Sequence, residues 1–251
     1  MNQDLPCPVC GGACTLLDAL DFNKSCEDAR GKSLGPSGIP VRYALCNECG
    51  FCFAPELASW TLAEFEERIY NDEYVLVDPD YAETRPQANA DNLISMFGDR
   101  AHSIKHLDYG GGSGLLARLL RACNWQSKSY DPFVDKNARV EQLGKFDLIT
   151  AFEVFEHVPD VRELMSNLRS LLAPNGLVLF STMLSDGNIH PGQQLSWWYA
   201  SPRNGHISLY SRTSLTRLAQ DNGLHFGSFS AGFHVFFTTV PPWADHIIHI
   251  A

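Results

Sequence analysis

Four cysteines near the amino terminus stand in two pairs whose spacing suits a metal ion. Cys7 and Cys10 form one CxxC pair, and Cys46 and Cys49 form the second; a glycine follows each pair. Each pair can place two thiolates on one ion, and two pairs complete a tetrahedral zinc site. Four protein ligands close that site, so we expect structural Zn²⁺, with iron and a set of unrelated reduced cysteines as the alternatives.

A glycine-rich stretch, "HLDYGGGSGLLARLL", is the second place where chemistry is expected. Asp108 precedes glycines at positions 110, 112 and 114, and a leucine-rich helical pattern follows. Glycines between a strand and a helix let the backbone turn sharply and let a ligand approach it closely. A plain tight turn is the structural alternative.

An acidic residue further along the chain narrows the choice of ligand. Asp131 ends the next predicted strand, where an acidic side chain typically binds ribose hydroxyls. Leu115 stands where a dinucleotide fingerprint would have its third glycine. A ligand with a ribose but no pyrophosphate therefore fits better than NAD, which disfavours a nicotinamide dehydrogenase.

Composition limits the classes of function. The chain has 251 residues, of which 45% are hydrophobic, and its formal net charge is −10. Such a surface repels nucleic acid phosphates. The polar start and the lack of an 18-residue apolar run predict a cytoplasmic chain with no membrane partner. Oligomeric state stays open.

The order of the predicted elements indicates an α/β fold. Strands are expected at 103–109, 127–131, 146–154 and 176–183, with helices over 114–123, 160–173 and 211–223. Strands that alternate with helices imply a parallel sheet covered on both faces. Two final strands, 224–231 and 234–240, are so close that they must form an antiparallel hairpin.

Three regions are expected along the chain. Residues 1–53 hold seven of the eight cysteines and form the predicted zinc-binding module. Residues 54–100 are predicted to form a helical linker and residues 101–251 one α/β domain; a family resemblance carried by four segments of that domain implies that the linker covers a cofactor and that the domain is catalytic. A helix over 59–70 would begin at Ser59 or Thr61.

Four segments together resemble the class I S-adenosylmethionine-dependent methyltransferases. They are, in order, "LDYGGGSG", "SYDPF", "FDLITAFEVFEHVPD" and "LLAPNGLVLFSTM". The resemblance implies a Rossmann-like sheet of seven strands whose last strand is antiparallel. One departure is the segment 132–145, which is too short for the helix and third strand that such enzymes have; the adenine-recognition residue therefore stays unassigned.

The resemblance also implies roles for residues of the cofactor site. Asp108, Gly110, Gly112 and Gly114 would surround the methionine end of S-adenosylmethionine, and Asp131 would hold the ribose. The other implied cofactor contacts are Pro132 and Phe133 near the adenine, backbone groups of Phe152 and Glu153, and, from upstream, Tyr74 and Arg85.

A cysteine-paired module before such a domain is similar to that of sugar C-methyltransferases acting on nucleotide-linked deoxysugars. Those enzymes are longer and carry a further carboxy-terminal domain. Some ribosomal RNA methyltransferases also carry a zinc module, but the acidic charge argues against that kind.

Two histidines are the candidate bases for methyl transfer. His157 lies in "EVFEHV". His206 lies in an insert after the predicted strand at 176–183, where this family often builds its acceptor pocket. Trp197, Trp198, Tyr199 and Tyr210 of that insert could line a pocket for a sugar. Purely structural roles are the alternative for all of them, and Gly205 replaces the glutamate that tends to precede the matching histidine in the sugar enzymes.

The sequence thus predicts a methyltransferase acting on a small polar acceptor such as a sugar or sugar nucleotide. One alternative is an RNA or protein methyltransferase whose zinc module grips the polymer. Another is a non-catalytic protein that only binds the cofactor.

Overall fold

The computed structural model describes residues 5–248, which divide into two compact units. Unit 1 comprises Met1–Pro79, Phe155–Leu164 and Thr182–Leu218. Unit 2 comprises Asp80–Val154, Met165–Ser181 and Ala219–Ala251. Each unit is thus built from three separate chain segments. The division expected at residues 53 and 100 stays a prediction.

Unit 2 is built on a six-stranded sheet. Its strands are β5 (Lys105–Tyr109), β6 (Gln126–Tyr130), β7 (Phe146–Phe152), β8 (Leu172–Ser181), β10 (His225–Ser228) and β11 (Phe233–Phe237). They lie in the order β10-β11-β8-β7-β5-β6. The four strands from β8 to β6 in this order are parallel, whereas β11 pairs antiparallel with both β8 and β10. The predicted closing hairpin and the antiparallel last strand are therefore present.

The sheet has one strand fewer than the seven that the resemblance implied. Residues 132–145, where a third strand would lie, form turns and one 3₁₀ turn at Val140–Gln142. Fourteen residues cannot supply both a crossover helix and a strand, since such a crossover alone needs about ten to twelve residues. Within residues 5–248, β6 is therefore an edge strand of this sheet.

The helices of unit 2 bury apolar faces against the sheet core. The helix α4 spans Thr84–Phe97, and α5 spans Leu115–Ala122 and begins after left-handed Gly114. Leu116 and Leu120 recur four residues apart, which puts both on one helix face, and both are buried in the core with strand residues of the sheet.

Two further helices, α6 (Val161–Leu171) and α7 (Arg212–Asp221), each contain residues of both units. Both lie within the predicted helical segments. The strand β8 begins directly after α6, at Leu172, earlier than the predicted start at residue 176. Pro174 and Asn175, which lie between the predicted helix and strand, are part of β8, with Asn175 in a left-handed conformation.

Unit 1 is built on an antiparallel sheet of five strands. They are β1 (Leu5–Pro6), β2 (Ala13–Asp21), β3 (Pro40–Cys46), β4 (Cys52–Phe53) and β9 (Ser208–Leu209), in the order β1-β2-β3-β4-β9. The edge strand β9 comes from the insert after β8, and it pairs Leu209 with Cys52 and Ser208 with Phe53. The cysteine-rich sheet is thus completed by a strand from a distant segment of the chain.

Three short helices follow β4 in unit 1: α1 (Pro55–Ala58), α2 (Leu62–Arg68) and α3 (Tyr74–Val77). The N-cap of α2 is Thr61, whose hydroxyl accepts from the Glu64 amide while the Glu64 carboxylate accepts from the Thr61 amide. This reciprocal pair satisfies two amides that the first helical turn would leave without partners. Of the two predicted starting residues, Thr61 is therefore the cap.

Among the helices of residues 5–248, none has both the length and the apolar character needed to cross a membrane.

Candidate functional site

The carboxyl ends of three neighbouring parallel strands carry the predicted cofactor residues of unit 2. The strands β7, β5 and β6 lie side by side, and they end at Phe152, Tyr109 and Tyr130. Ligands of open parallel sheets bind beyond such carboxyl ends. The structure therefore brings the glycine loop, Asp131 and Glu153 to one edge of the sheet.

The glycine loop lies too close to its neighbours for larger side chains at two positions. A Cβ at Gly110 would stand 2.5 Å from Cγ2 of Val154. A Cβ at Gly111 would stand 2.3 Å from Oγ of Ser129 and 2.4 Å from Oδ2 of Asp108. Gly111 was not among the residues predicted from the sequence, although the uninterrupted glycine run contains it.

The loop is attached to the end of β6 through its amides. The amides of Gly110 and Gly111 donate to the Tyr130 carbonyl at 2.7 and 3.2 Å. The Gly112 amide donates to Oδ2 of Asp131 at 3.0 Å, and the Phe133 amide donates to Oδ1 of Asp131 at 2.8 Å. A carboxylate oxygen has two acceptor sites, so each oxygen of Asp131 can still accept one hydroxyl.

Asp108 is a buried carboxyl beneath the loop. Its Oδ1 accepts from the Thr150 hydroxyl at 3.0 Å. Burial raises the pKa of Asp108 to about 7, because removing a carboxylate from water disfavours its charged form, and the Asp131 charge adds to the rise. Asp108 can therefore change its protonation state near neutral pH.

A chain of buried hydrogen bonds leads to Asp108 from His106. The Nε2 atom of His106 lies 3.0 Å from the Thr150 hydroxyl oxygen, and its Nδ1 lies 2.7 Å from the Ser127 hydroxyl oxygen. Burial lowers the pKa of His106 to about 3, so the ring is neutral and one nitrogen donates. When Thr150 donates to the Asp108 carboxylate, His106 must donate to Thr150 and accept from Ser127. No sequence pattern marks these three supporting residues beyond their place on adjacent strands.

Glu153 turns the chain away from β7 in a strained conformation. Its φ is 53°, in the left-handed region that residues other than glycine rarely adopt. Its amide donates to Oγ of Ser181 at 2.8 Å, and the Ser181 hydroxyl donates back to Oε1 of Glu153 at 2.8 Å. This pair of bonds fixes the turn. Phe152, the preceding residue, packs its ring 6.1 Å from that of Phe233.

The remaining predicted cofactor residues are placed less tightly. Pro132 and Phe133 follow Asp131 and are half-buried, and Arg85 lies half-buried at the start of α4. Tyr74 belongs to unit 1, where it is buried and its hydroxyl donates to the Asn204 carbonyl at 3.3 Å. The cofactor contacts expected of these four residues stay predictions.

The two cysteine pairs converge in unit 1. The Sγ atoms of Cys7, Cys10, Cys46 and Cys49 all lie within 4.8 Å of one another. The Cys7–Cys49 and Cys10–Cys46 sulfur distances are 3.6 and 3.5 Å. The contact with Cys49 lowers the pKa of the Cys7 thiol. Sulfurs on one tetrahedral ion at about 2.3 Å would be separated by roughly 3.8 Å, so this cluster has the size of a four-cysteine metal site.

Backbone amides support the sulfurs of both cysteine pairs. The Gly12 amide donates to Sγ of Cys10 at 3.4 Å, and the amides of Glu48 and Cys49 donate to Sγ of Cys46 at 3.4 Å. Such donors stabilise negative charge on sulfur. The side chain of Arg162, from another segment of unit 1, donates to the Pro8 carbonyl at 2.6 Å and so braces the first pair.

The two candidate bases of unit 1 are neighbours. The rings of His157 and His206 are 4.9 Å apart, and Glu156 lies beside them with its carboxylate wholly buried. Glu156 was not predicted as a site residue, although it adjoins His157 in the sequence. The aromatic residues of the insert differ in exposure: Trp197, Tyr199 and Tyr210 are buried, and Trp198 is 44% exposed. The Tyr210 hydroxyl donates to the Phe155 carbonyl at 3.0 Å.

A family of methyltransferase domains matches residues 81–226, which is more than half of the chain. The chain therefore belongs to the methyltransferase-domain family.

Curated relatives match shorter segments. A ubiquinone biosynthesis O-methyltransferase of Histophilus somni (strain 2336) is 38% identical over 60 residues, which are 24% of this chain and 25% of that protein. The enzyme of the same name from Colwellia psychrerythraea (strain 34H / ATCC BAA-681) is 35% identical over 81 residues, 32% of this chain and 33% of that protein. The matches thus span only a quarter to a third of these two relatives.

A solved structure shares the fold. An O-methyltransferase family protein from Burkholderia thailandensis superposes with a TM-score of 0.50 at 13% sequence identity, covering 74% of this chain and 67% of that one. At this identity the similarity shows the fold alone.

The buried carboxyl of Asp108 predicts a pH-dependent stability. Its pKa is raised in the folded chain, so the folded state binds a proton that the unfolded state has lost. The free energy of unfolding should therefore fall between about pH 4 and about pH 7, by up to ~4 kcal/mol from this group, and level off above. Urea unfolding of the cofactor-free chain and of Asp108→Asn across this range measures the difference.

The Asp108→Asn variant should lack this component and keep the pH dependence of all other groups. Asp99→Asn, a change at an exposed aspartate, is the matched control and should retain the wild-type slope. If the free energy of unfolding changes equally with pH in wild type and in Asp108→Asn, Asp108 does not titrate in this range.

Proposed function

We propose that the chain is an S-adenosylmethionine-dependent methyltransferase that methylates a hydroxyl oxygen of a small polar acceptor. The observation that carries the proposal is the convergence of the glycine loop, Asp131 and the strained Glu153 turn at one edge of the unit 2 sheet. Membership of the methyltransferase-domain family supports the reaction. The O-methyltransferase names of the matched relatives support oxygen as the acceptor atom.

The residues present fit the adenosyl part of that cofactor. Asp131 is held by two amides in a position where both of its oxygens can accept ribose hydroxyls. A Cβ added at Gly112 would meet no heavy atom within 4 Å beyond its chain neighbours, so the loop leaves room for a ligand beside its backbone. Pro132 and Phe133 offer apolar surface, and their contact with the adenine is part of the proposal.

The methionine end of the cofactor would lie over the loop. Asp108 is proposed as a negative partner for the cofactor's ammonium group or for the loop amides, and a cation there would favour the ionised form of this carboxyl. Tyr74 and Arg85 are proposed as further contacts, with Arg85 facing the methionine carboxylate. S-adenosylmethionine supplies a sulfonium methyl for in-line displacement; the residues named here bind and orient it.

The acceptor is proposed as a small molecule. Neither the relatives nor the solved structure point to a sugar, so the sugar suggested by the sequence remains one acceptor class to be screened. An acceptor hydroxyl must lose its proton as its oxygen takes the methyl group. His157 and His206 are proposed to accept this proton, because a neutral imidazole can act as a base.

The four-cysteine cluster is proposed as a structural zinc site. Sulfur separations near those of a tetrahedral ion and amide donors to two sulfurs support this assignment. Four thiolates leave no open position, so the ion would stabilise the β1–β4 part of unit 1 and take no part in the reaction.

Calorimetric titration with S-adenosylmethionine tests the cofactor assignment. Wild type should bind it at micromolar concentration and should not bind NAD. Asp131→Ala removes a charged acceptor of two ribose hydroxyls, so its Kd should rise by a factor of ~10 or more. Asp99→Ala, which removes an exposed carboxylate of unit 2, should bind as wild type does.

Equal affinity in Asp131→Ala and wild type would remove the ribose role of Asp131. Absence of binding by folded wild type would overturn the assignment of the cofactor, and with it the proposed enzyme.

Metal analysis of the purified chain tests the zinc site. Cys46→Ser should lose one equivalent of zinc and unfold at a lower temperature, because the ion binds the folded state far more tightly than the unfolded one. Cys123→Ser changes an exposed cysteine outside the cluster and should keep all the metal of wild type. Full zinc retention by Cys46→Ser would contradict the four-cysteine site.

An acceptor screen under turnover conditions, covering phenols, other hydroxyl compounds and sugars, tests the histidines. His206→Ala should lower kcat by ~100-fold or more on the acceptor found, since proton transfer contributes about that much. S-adenosylmethionine affinity should stay unchanged in this variant. Wild-type turnover by folded His206→Ala would exclude His206 from the reaction.

A further inference from the structure

Three potential metal ligands meet in unit 1, apart from the cysteines. One ligand atom each from Glu156, His157 and His206 lies within 4.8 Å of the other two. Glu156 and His157 belong to the 3₁₀ turn Phe155–His157, and His206 follows the 3₁₀ turn Pro202–Asn204. Two imidazoles and a carboxylate therefore converge from two chain segments of the same unit.

The ring of His206 is held in one orientation. Its Nδ1 lies 2.8 Å from the Tyr199 carbonyl oxygen, and a carbonyl can only accept a hydrogen bond. Nδ1 therefore carries the hydrogen, and in the neutral ring Nε2 keeps its lone pair. A histidine that ligates a metal through one nitrogen commonly donates from the other to a carbonyl in this way.

Tyr199 also orients the carboxylate. Its hydroxyl donates to Oε1 of Glu156 at 2.6 Å, and its ring packs 4.2 Å from the His206 ring. Glu156 is completely buried, and a buried carboxylate is costly unless charged or polar groups compensate it. One tyrosine thus fixes a nitrogen ligand with its carbonyl and an oxygen ligand with its hydroxyl.

The backbone around the cluster is also fixed. The Ile207 amide donates to the Glu156 carbonyl at 2.8 Å, which joins the two segments next to the ligands. Gly205 has a φ of 85°, and a Cβ there would stand 3.2 Å from Nδ1 of His157 and 3.0 Å from the Tyr70 hydroxyl. The glycine that departs from the sugar-enzyme pattern therefore leaves space that the His157 ring and the Tyr70 hydroxyl border closely.

We propose that Glu156, His157 and His206 bind a divalent first-row transition metal ion, such as Zn²⁺. Two histidines and one carboxylate are a donor set that such ions take, with positions left open. Ligands at about 2.1 Å from a tetrahedral ion are separated by roughly 3.4 Å, and Nε2 of His157 already lies 4.0 Å from Oε1 of Glu156. The ligand atoms, which lie within 4.8 Å of one another, would move closer through side-chain rotation to share one ion.

Three protein ligands leave room for an oxygen from water or from the acceptor. This consequence rests on the proposed methyl transfer. An acceptor hydroxyl bound to the ion would have a lowered pKa and would lose its proton to solvent. The histidines would then act as ligands, and the ion would take over the role of activating the hydroxyl.

Metal stoichiometry of the full chain tests the site without any acceptor. Zinc and, separately, Co²⁺ are added to the reduced chain, excess ion is removed, and bound metal per chain is measured. Wild type should hold two equivalents. One Co²⁺ should show the thiolate charge-transfer absorption of the cysteine site, and the second should show ligand-field absorption alone. His157→Gln and Glu156→Gln should each fall to one equivalent, with the thiolate absorption unchanged.

His234→Gln is the matched control. His234 is also buried, and its Nδ1 lies 2.9 Å from the Ser228 hydroxyl oxygen in unit 2, outside both clusters. This variant should keep two equivalents.

A wild-type chain with only one equivalent, lost in Cys46→Ser, would overturn the proposal, as would two equivalents in folded His157→Gln. Should Glu156→Gln fail to fold, the wild-type count and His157→Gln decide the question, because the His157 side chain is partly exposed. S-adenosylmethionine titration is independent of these counts, so failure of the metal site and failure of the proposed function give different results.

Discussion

The close approach of backbone and side chains beneath the glycine loop is the constraint on which the unit 2 site depends. Gly111 lies so near the side chains of Asp108 and Ser129 that any side chain at this position would displace them. This contact lets the loop amides reach the end of β6, where Tyr130 and Asp131 accept them. The loop, the acidic residue and the ends of the strands are therefore one rigid arrangement.

That arrangement has an energetic cost, which the polar core beneath it offsets in part. Asp108 is buried, and burial disfavours its charge. The Thr150 hydroxyl stabilises the carboxylate, and neutral His106 in turn donates to Thr150. These neutral hydrogen-bond donors lower the free-energy cost of burying the Asp108 carboxylate, but they do not fix its protonation state. Under the proposed function, a cationic ligand group would complete this compensation when it binds.

Local sequence patterns predicted part of the candidate site. The rest depends on contacts between residues far apart in the sequence, which no local pattern reveals. The glycine run, the strand before it and the helix with Leu116 and Leu120 follow from side-chain size and periodicity, and the structure has all three. Strand number was overestimated because it came from the family resemblance, whereas the segment 132–145 forms turns and one 3₁₀ turn. Nothing local marks His106 as the partner of Ser127 and Thr150, because that contact requires the register of three strands. Sequence patterns thus predict candidate ligands at fixed spacing, such as the CxxC pairs, and miss contacts that only the tertiary fold assembles, such as that of Glu156 with Tyr199.

In unit 1, the cysteine-rich segment depends on contacts with later segments of the chain. Its cysteine pairs lie in the first 53 residues, yet β4 pairs with β9, Arg162 braces the turn at Pro8, and the Tyr43 hydroxyl donates to the His206 carbonyl at 2.8 Å. Residues 1–53 expressed alone would lose all three contacts. The strand β9 begins at Ser208, just after His206, so the sheet that carries the cysteines also positions the histidine cluster. Metal binding at the cysteines would therefore stabilise both parts of unit 1, and the candidate zinc site gains a role in holding the histidines in place.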